Sequence, residues 1–151
     1  MKKNYNLKKW LVLAGFFIAI PVAWYLISPA FIVVEVNEEI SNENMQEETN
    51  ILNQAGFVAN AHDVKGKALI IDDKGRKILR FEDFETINGP DLFIYLSSDL
   101  EAGDFISLGE IKGTKGNVNY EIPSNVDLEK YNKVLVWCRA FRVLFSHAEF
   151  K

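Results

Sequence analysis

Lys67-Ala68-Leu69-Ile70-Ile71-Asp72-Asp73-Lys74-Gly75-Arg76-Lys77-Ile78-Leu79-Arg80-Phe81 reads as two short apolar runs around a polar loop. Residues 67–71 and 77–81 form the runs, and Gly75 can take the positive φ that a tight hairpin needs. The same grammar continues outward. From Gly56 onward, short apolar runs alternate with Gly, Asp, Asn and Pro at intervals of roughly eight to twelve residues. That pattern predicts an all-β domain, an antiparallel sandwich or barrel of about eight strands.

Downstream of the hairpin, Asn88-Gly89-Pro90 is a break. Residues 91–97 follow, with Leu92, Ile94 and Leu96 on one face and Phe93 and Tyr95 on the other. Residues 105–108 and 117–122 flank a loop holding Gly109, Gly113 and Gly116, read as a hairpin turn because it lacks phosphate-binding spacing. Residues 123–130 form a connection with one helical turn. The run 134–141 is apolar on both sides and predicts a central, buried strand, followed by a last strand over 144–150. No internal repeat or low-complexity tract interrupts this order.

Upstream, residues 10–28 are predominantly apolar and uncharged over 19 positions. As a helix they would span about 28 Å, close to the hydrocarbon thickness of a bilayer. Trp10 at one end and Trp24 and Tyr25 near the other suit the two interfaces, and a membrane span tolerates Pro21. Lys2, Lys3, Lys8 and Lys9 precede the run, and no Lys or Arg follows it until Lys65. This asymmetry predicts a single-pass anchor with a cytoplasmic amino terminus and an extracytoplasmic carboxy-terminal domain. The rival is a cleaved signal peptide ending near Ser28-Pro29-Ala30, but the apolar run exceeds the usual signal core. A cysteine-linked lipid anchor is excluded, because no cysteine lies near this segment.

The division expected is therefore a basic tail at 1–9, a transmembrane helix at 10–28, an acidic stalk at 29–55 and a β domain at 56–151. The stalk carries Glu35, Glu38, Glu39, Glu43, Glu47 and Glu48, and its apolar residues fit a helical stripe poorly. Phe31 to Val36, mostly apolar and β-branched, extends the helix or forms a short strand, and the rest reads as a solvated stalk, partly helical up to Gly56, with a specific acidic binding patch as the sharper alternative. From Lys65 onward 13 basic residues face 14 acidic ones, so the domain is nearly neutral. No basic stripe is present to neutralise phosphates, which argues against nucleic acid as a partner.

Several strings together resemble the electron-transfer DM thirteen domain family. They are Gly66-Lys67-Ala68, Leu79-Arg80-Phe81-Glu82-Asp83-Phe84 and Gly89-Pro90-Asp91-Leu92-Phe93-Ile94-Tyr95-Leu96-Ser97. Leu108-Gly109, Lys112-Gly113, Lys115-Gly116, Tyr120, Ile122 and Pro123 continue the match, which closes on Val136-Trp137-Cys138-Arg139-Ala140-Phe141, Phe145 and Ala148. The resemblance covers about residues 56–151 and is specific when the strings are taken in order. It implies a small extracytoplasmic β domain with a part in redox or electron transfer. The family's cysteine maps onto Cys138, and the implied partner is a redox protein.

Cys138 is the only cysteine. A free cysteine on a strand apolar on both sides is usually a small hydrophobe, so the residues alone favour packing, and the resemblance favours chemistry. One thiol can cycle through a sulfenic acid or form a mixed disulfide, but cannot act as a two-cysteine oxidoreductase. Strand alternation puts Arg142 on the side of Cys138 and Arg139 opposite, unless a bulge intervenes; either is a candidate thiolate stabiliser. His62 and His147, with Asp63 and Glu149 nearby, suggest a metal only weakly, since they lie far apart and no second thiol joins them. No hydrolase nucleophile motif is present, and no haem or flavin site can be read, so the cofactor stays unknown. Two functions follow: a membrane-anchored redox accessory module using Cys138, or a non-redox binding or structural module whose cysteine is core.

Overall fold

The computed structural model describes residues 3–40 and 50–151, with side chains from residue 8 onward. The sequence readings that rest on the Lys2 and Lys3 side chains and on Glu43, Glu47 and Glu48 lie outside the described residues. Helix α1 (Lys3–Ile27) runs without interruption through Pro21 and passes into a 3-10 turn, Ser28–Phe31. Residues 8–31 are long and apolar enough to cross a membrane by length and composition.

Ten strands follow: β1 (Glu35–Asn37), β2 (Asn50–Gly56), β3 (Val58–Ala59), β4 (Val64–Asp73), β5 (Arg76–Thr86), β6 (Leu92–Ser97), β7 (Phe105–Glu110), β8 (Lys115–Ile122), β9 (Lys133–Cys138) and β10 (Val143–Glu149). They form two five-stranded sheets, β1-β8-β5-β4-β2 and β3-β10-β9-β6-β7. Every pairing is antiparallel except β1 with β8. The all-β expectation holds, as a sandwich of ten strands where about eight were expected.

The β4–β5 hairpin forms where the opening string places it. Lys74 (φ 54°) and Gly75 (φ 86°) both take left-handed backbone, the twist-matched geometry for a two-residue turn. The Asp72 carboxylate accepts a 2.7 Å hydrogen bond from the Gly75 amide and fixes that turn. Along the hairpin Ala68, Ile70, Leu79 and Phe81 face inward and meet Ile94, Leu96, Val134 and Val136 of the second sheet. Phe57, Phe81 and Phe84 pack with centroids 4.9–5.0 Å apart. Fully burying a side chain such as Phe81 contributes about 1.5–3 kcal/mol.

Three local expectations change. Residues 29–55 read mainly as a solvated stalk, yet the structure places β1 and most of β2 there, as the two edge strands of the first sheet. Edge strands are covered on few sides, so they form without the apolar alternation that marks central ones. The glycine-containing loop between β7 and β8 is not a hairpin turn, because its flanking strands belong to different sheets. The run 134–141 is not one strand: β9 stops at Cys138, and residues 139–142 form a turn into β10. Arg142 closes that turn with φ 54°.

Candidate functional site

β6 begins and β9 ends at the same edge of the sandwich, with Leu92 opposite Cys138 in register. The other neighbour of Cys138 is Val143 on β10. Alternation turns Val134, Val136 and Cys138 into the core, and Cys138 is 0% exposed. The thiol is unpaired and packed among apolar side chains.

Two of the strings that carry the family resemblance meet here. The Arg139 amide donates to the Asp91 carbonyl at 2.9 Å. The guanidinium donates to both Asp91 carboxylate oxygens, Nε at 3.0 Å and Nη2 at 3.1 Å. The hydrogen bond to Asp91 raises the Arg139 pKa further, so this cation is permanent. Its carbon centre lies 4.0 Å from the Phe93 ring centroid, a cation–π arrangement, and Phe93 is in register with Trp137. The Phe93 contact puts Arg139 on the outer face of the sheet, while Cys138 faces inward.

Arg142 behaves differently from its expectation. Because β9 ends at Cys138, alternation does not reach residue 142, and the structure does not place Arg142 on the strand face of the thiol. Its side chain is exposed and makes no hydrogen bond or ion pair among the described residues. The structure therefore brings Cys138 and Arg139 into one strand end but commits Arg139 to Asp91.

On the outer face, Tyr95 stacks on Phe105 at 4.1 Å and 21°. Burial pushes the Tyr95 phenol up, with the Arg139 charge opposing and the Asp91 charge adding to the shift. Ser146, opposite Val136 on β10, has a buried hydroxyl with no hydrogen-bond partner among the described residues. The histidines go to separate places. His62 packs on Phe145 at 4.1 Å, and His147 Nδ1 lies 2.7 Å from Asn60 Oδ1. Among the described residues no three His, Cys, Asp or Glu side chains converge as metal ligands.

Asp91 and Phe93 are the site residues that sequence reading missed. The only available signal was that Asp91 stands in one resemblance string and Arg139 in another, with opposite charges. The domain is a two-sheet sandwich with a buried cysteine beside a bidentate Arg–Asp clamp. The family model for electron transfer DM13 matches residues 56–150, and the chain belongs to that family. No curated protein and no solved structure matches the chain.

Proposed function

We propose that this protein is a membrane-anchored, extracytoplasmic accessory module of an electron-transfer system, with Cys138 as its redox-sensitive thiol. The observation that carries this reading is the electron transfer DM13 match over residues 56–150. The apolar helix before the domain supports the anchor, and the lysines ahead of it support the orientation.

Cys138 is buried, but it is the last residue of its strand and adjoins the turn at residues 139–142. Local opening of that turn is the route by which the thiol would reach water. The unpartnered Ser146 hydroxyl weakens the same hairpin, since such a group costs about 1–3 kcal/mol. The thiolate then attacks a partner disulfide: a bond forms from Cys138 Sγ to one partner sulfur, the partner S–S bond breaks, and its other sulfur leaves as thiolate.

The complete burial of Cys138 favours a second reading, in which the thiol is packing and the domain acts through a binding surface. Trapping separates the two. Cells producing the full chain or Cys138→Ala are acid-quenched and alkylated, and disulfide-linked complexes are recovered. A complex present in the native protein and lost in Cys138→Ala supports the redox reading. No complex, together with full function of Cys138→Ala in the host, overturns it in favour of the core cysteine.

A further inference from the structure

The domain does not hang from the apolar helix on a long linker. The 3-10 turn closes at Phe31, with the Ile32 amide bonded to the Pro29 carbonyl at 2.9 Å. Val34 is already part of the domain. Its amide donates to Thr114 Oγ1 at 3.0 Å, and its carbonyl accepts from the Thr114 amide at 2.8 Å. Only Ile32 and Val33 lie between. Two extended residues reach about 7 Å, so the Thr114 end of the sandwich stays against the end of the helix.

That end includes the β9–β10 turn. Leu26, Ile27 and Ala30 of the helical segment line one groove together with Ile87, Phe141 and Val143 of the domain. Apolar side chains of the span and of the sandwich thus share one groove, which His62 and Asn88 also line. Phe31 is 80% exposed, Phe141 53% and Ile87 41%. At this end Lys65 pairs with Glu85, Lys115 with Glu35 and Arg139 with Asp91, while the exposed Asp63 and Glu110 have no ion pair among the described residues. Arg142, next to Phe141, has no such partner among the described residues. The loops at the opposite end expose Glu101, Asp127 and Glu129, while Asp104 pairs with Lys130 at 2.8 Å.

We propose that the end of the sandwich bearing the β9–β10 turn is a lipid-contact surface, with Phe141 and Ile87 seated below the headgroups and Arg142 meeting the lipid phosphates. This rests on the anchor reading above. An exposed aromatic beside a cation suits the boundary between acyl chains and headgroups, and the two-residue link holds this end of the sandwich next to the span. The domain then stands on the bilayer, and the core end that holds Cys138 is the end nearest the lipid.

The test uses the full chain in phosphatidylcholine vesicles containing a minor fraction of phosphatidylglycerol. An environment-sensitive fluorophore is attached at Phe141→Cys or, as the far-end control, at Glu129→Cys, each in Cys138→Ala. Should that background fail to fold, the same labels are placed beside native Cys138 with the unlabelled parent as blank. The Phe141 site should emit further to the blue than the Glu129 site. It should also be quenched several-fold more by lipids bearing a shallow nitroxide and less by aqueous iodide. Protein that floats with the vesicles while both sites respond equally to iodide and not to the nitroxide overturns the lipid-contact surface alone. Protein that does not float overturns the anchor, and the proposal with it.

Discussion

Native Cys138 should react with an aromatic disulfide reagent through local opening of the 139–142 turn, not through unfolding of the sandwich. Opening breaks the Arg139 amide bond to the Asp91 carbonyl, separates Cys138 from Val143, and brings a fully buried thiol to water. Two net hydrogen bonds at about 1 kcal/mol each, and about 1 kcal/mol for a small apolar side chain, give roughly 3 kcal/mol. The exposed Arg139–Asp91 ion pair is left out, because water replaces it at little cost. Three kilocalories slow the reaction roughly a hundred- to a few hundredfold relative to the unfolded chain. Global unfolding, at about 5 kcal/mol or more, would slow it by roughly 10⁴ or more. The assay follows thiol release under excess reagent, at urea concentrations below the unfolding transition. Local opening exposes little surface, so the rate should rise only weakly with urea. A rate that rises with the full urea slope of unfolding, and extrapolates onto the global stability, refutes the local-opening argument and leaves Cys138 a core residue.

The core Phe81→Ala variant should lose about 3–5 kcal/mol in denaturant unfolding, because Phe81 is fully buried against Phe57, Phe84 and Tyr120. Cys138→Ser should cost about 1–3 kcal/mol through an unpartnered hydroxyl, and Cys138→Ala distinctly less, measured in the same way. Gly116→Ala should release β1: at φ 106° a Cβ there meets the Val36 carbonyl oxygen, and proteolysis within residues 34–38 should accelerate while the rest of the sandwich persists. Burial pushes the Tyr120 phenol up to about 12, against the opposing bond from the Lys112 amide and with a contribution from the Glu38 charge. Folding therefore holds the proton, so this stabilisation is complete below pH 10 and is lost as pH rises from there toward about 12. In a phenolate absorbance titration Tyr120 should ionise last, with Tyr95 also raised, and Tyr120→Phe should remove the latest step.

Legibility followed burial. The β4–β5 hairpin could be read because both strands carry buried residues in register and Gly75 marks the turn. β6 could be read because Leu92, Ile94 and Leu96 point inward while Phe93 and Tyr95 point out. β1 was legible only as one option, a short strand over residues 31–36, and β2 was not, because an edge strand with exposed positions needs no apolar pattern and its amides mask one. The crossing from β7 to β8 was illegible for another reason: Gly109, Gly113 and Gly116 permit a sharp change of direction without saying which sheet receives the chain. At the site, Ala140 and Phe141 continue the apolar run past Cys138 and hide the turn, and Arg142 supplies its left-handed residue where a glycine would have announced one. The Asp91–Arg139 clamp joins positions 48 residues apart and leaves no local trace.

The parallel pairing of β1 with β8 also has a mechanical meaning. β1 leaves the apolar helix and runs alongside β8, with Glu35, Val36 and Asn37 opposite Lys115, Gly116 and Asn117. Tension along the tether therefore acts lengthwise on that pair. Drawing one strand along another strains its hydrogen bonds together, whereas peeling it sideways strains them one after another. Bonds to the Glu38 carboxylate, just past the strand, from Lys112 Nζ and from the Asn119 backbone amide share the load. The attachment is thus a sheared splice instead of a hinge, and a pull on the domain passes into the middle of the first sheet through β8 and β5.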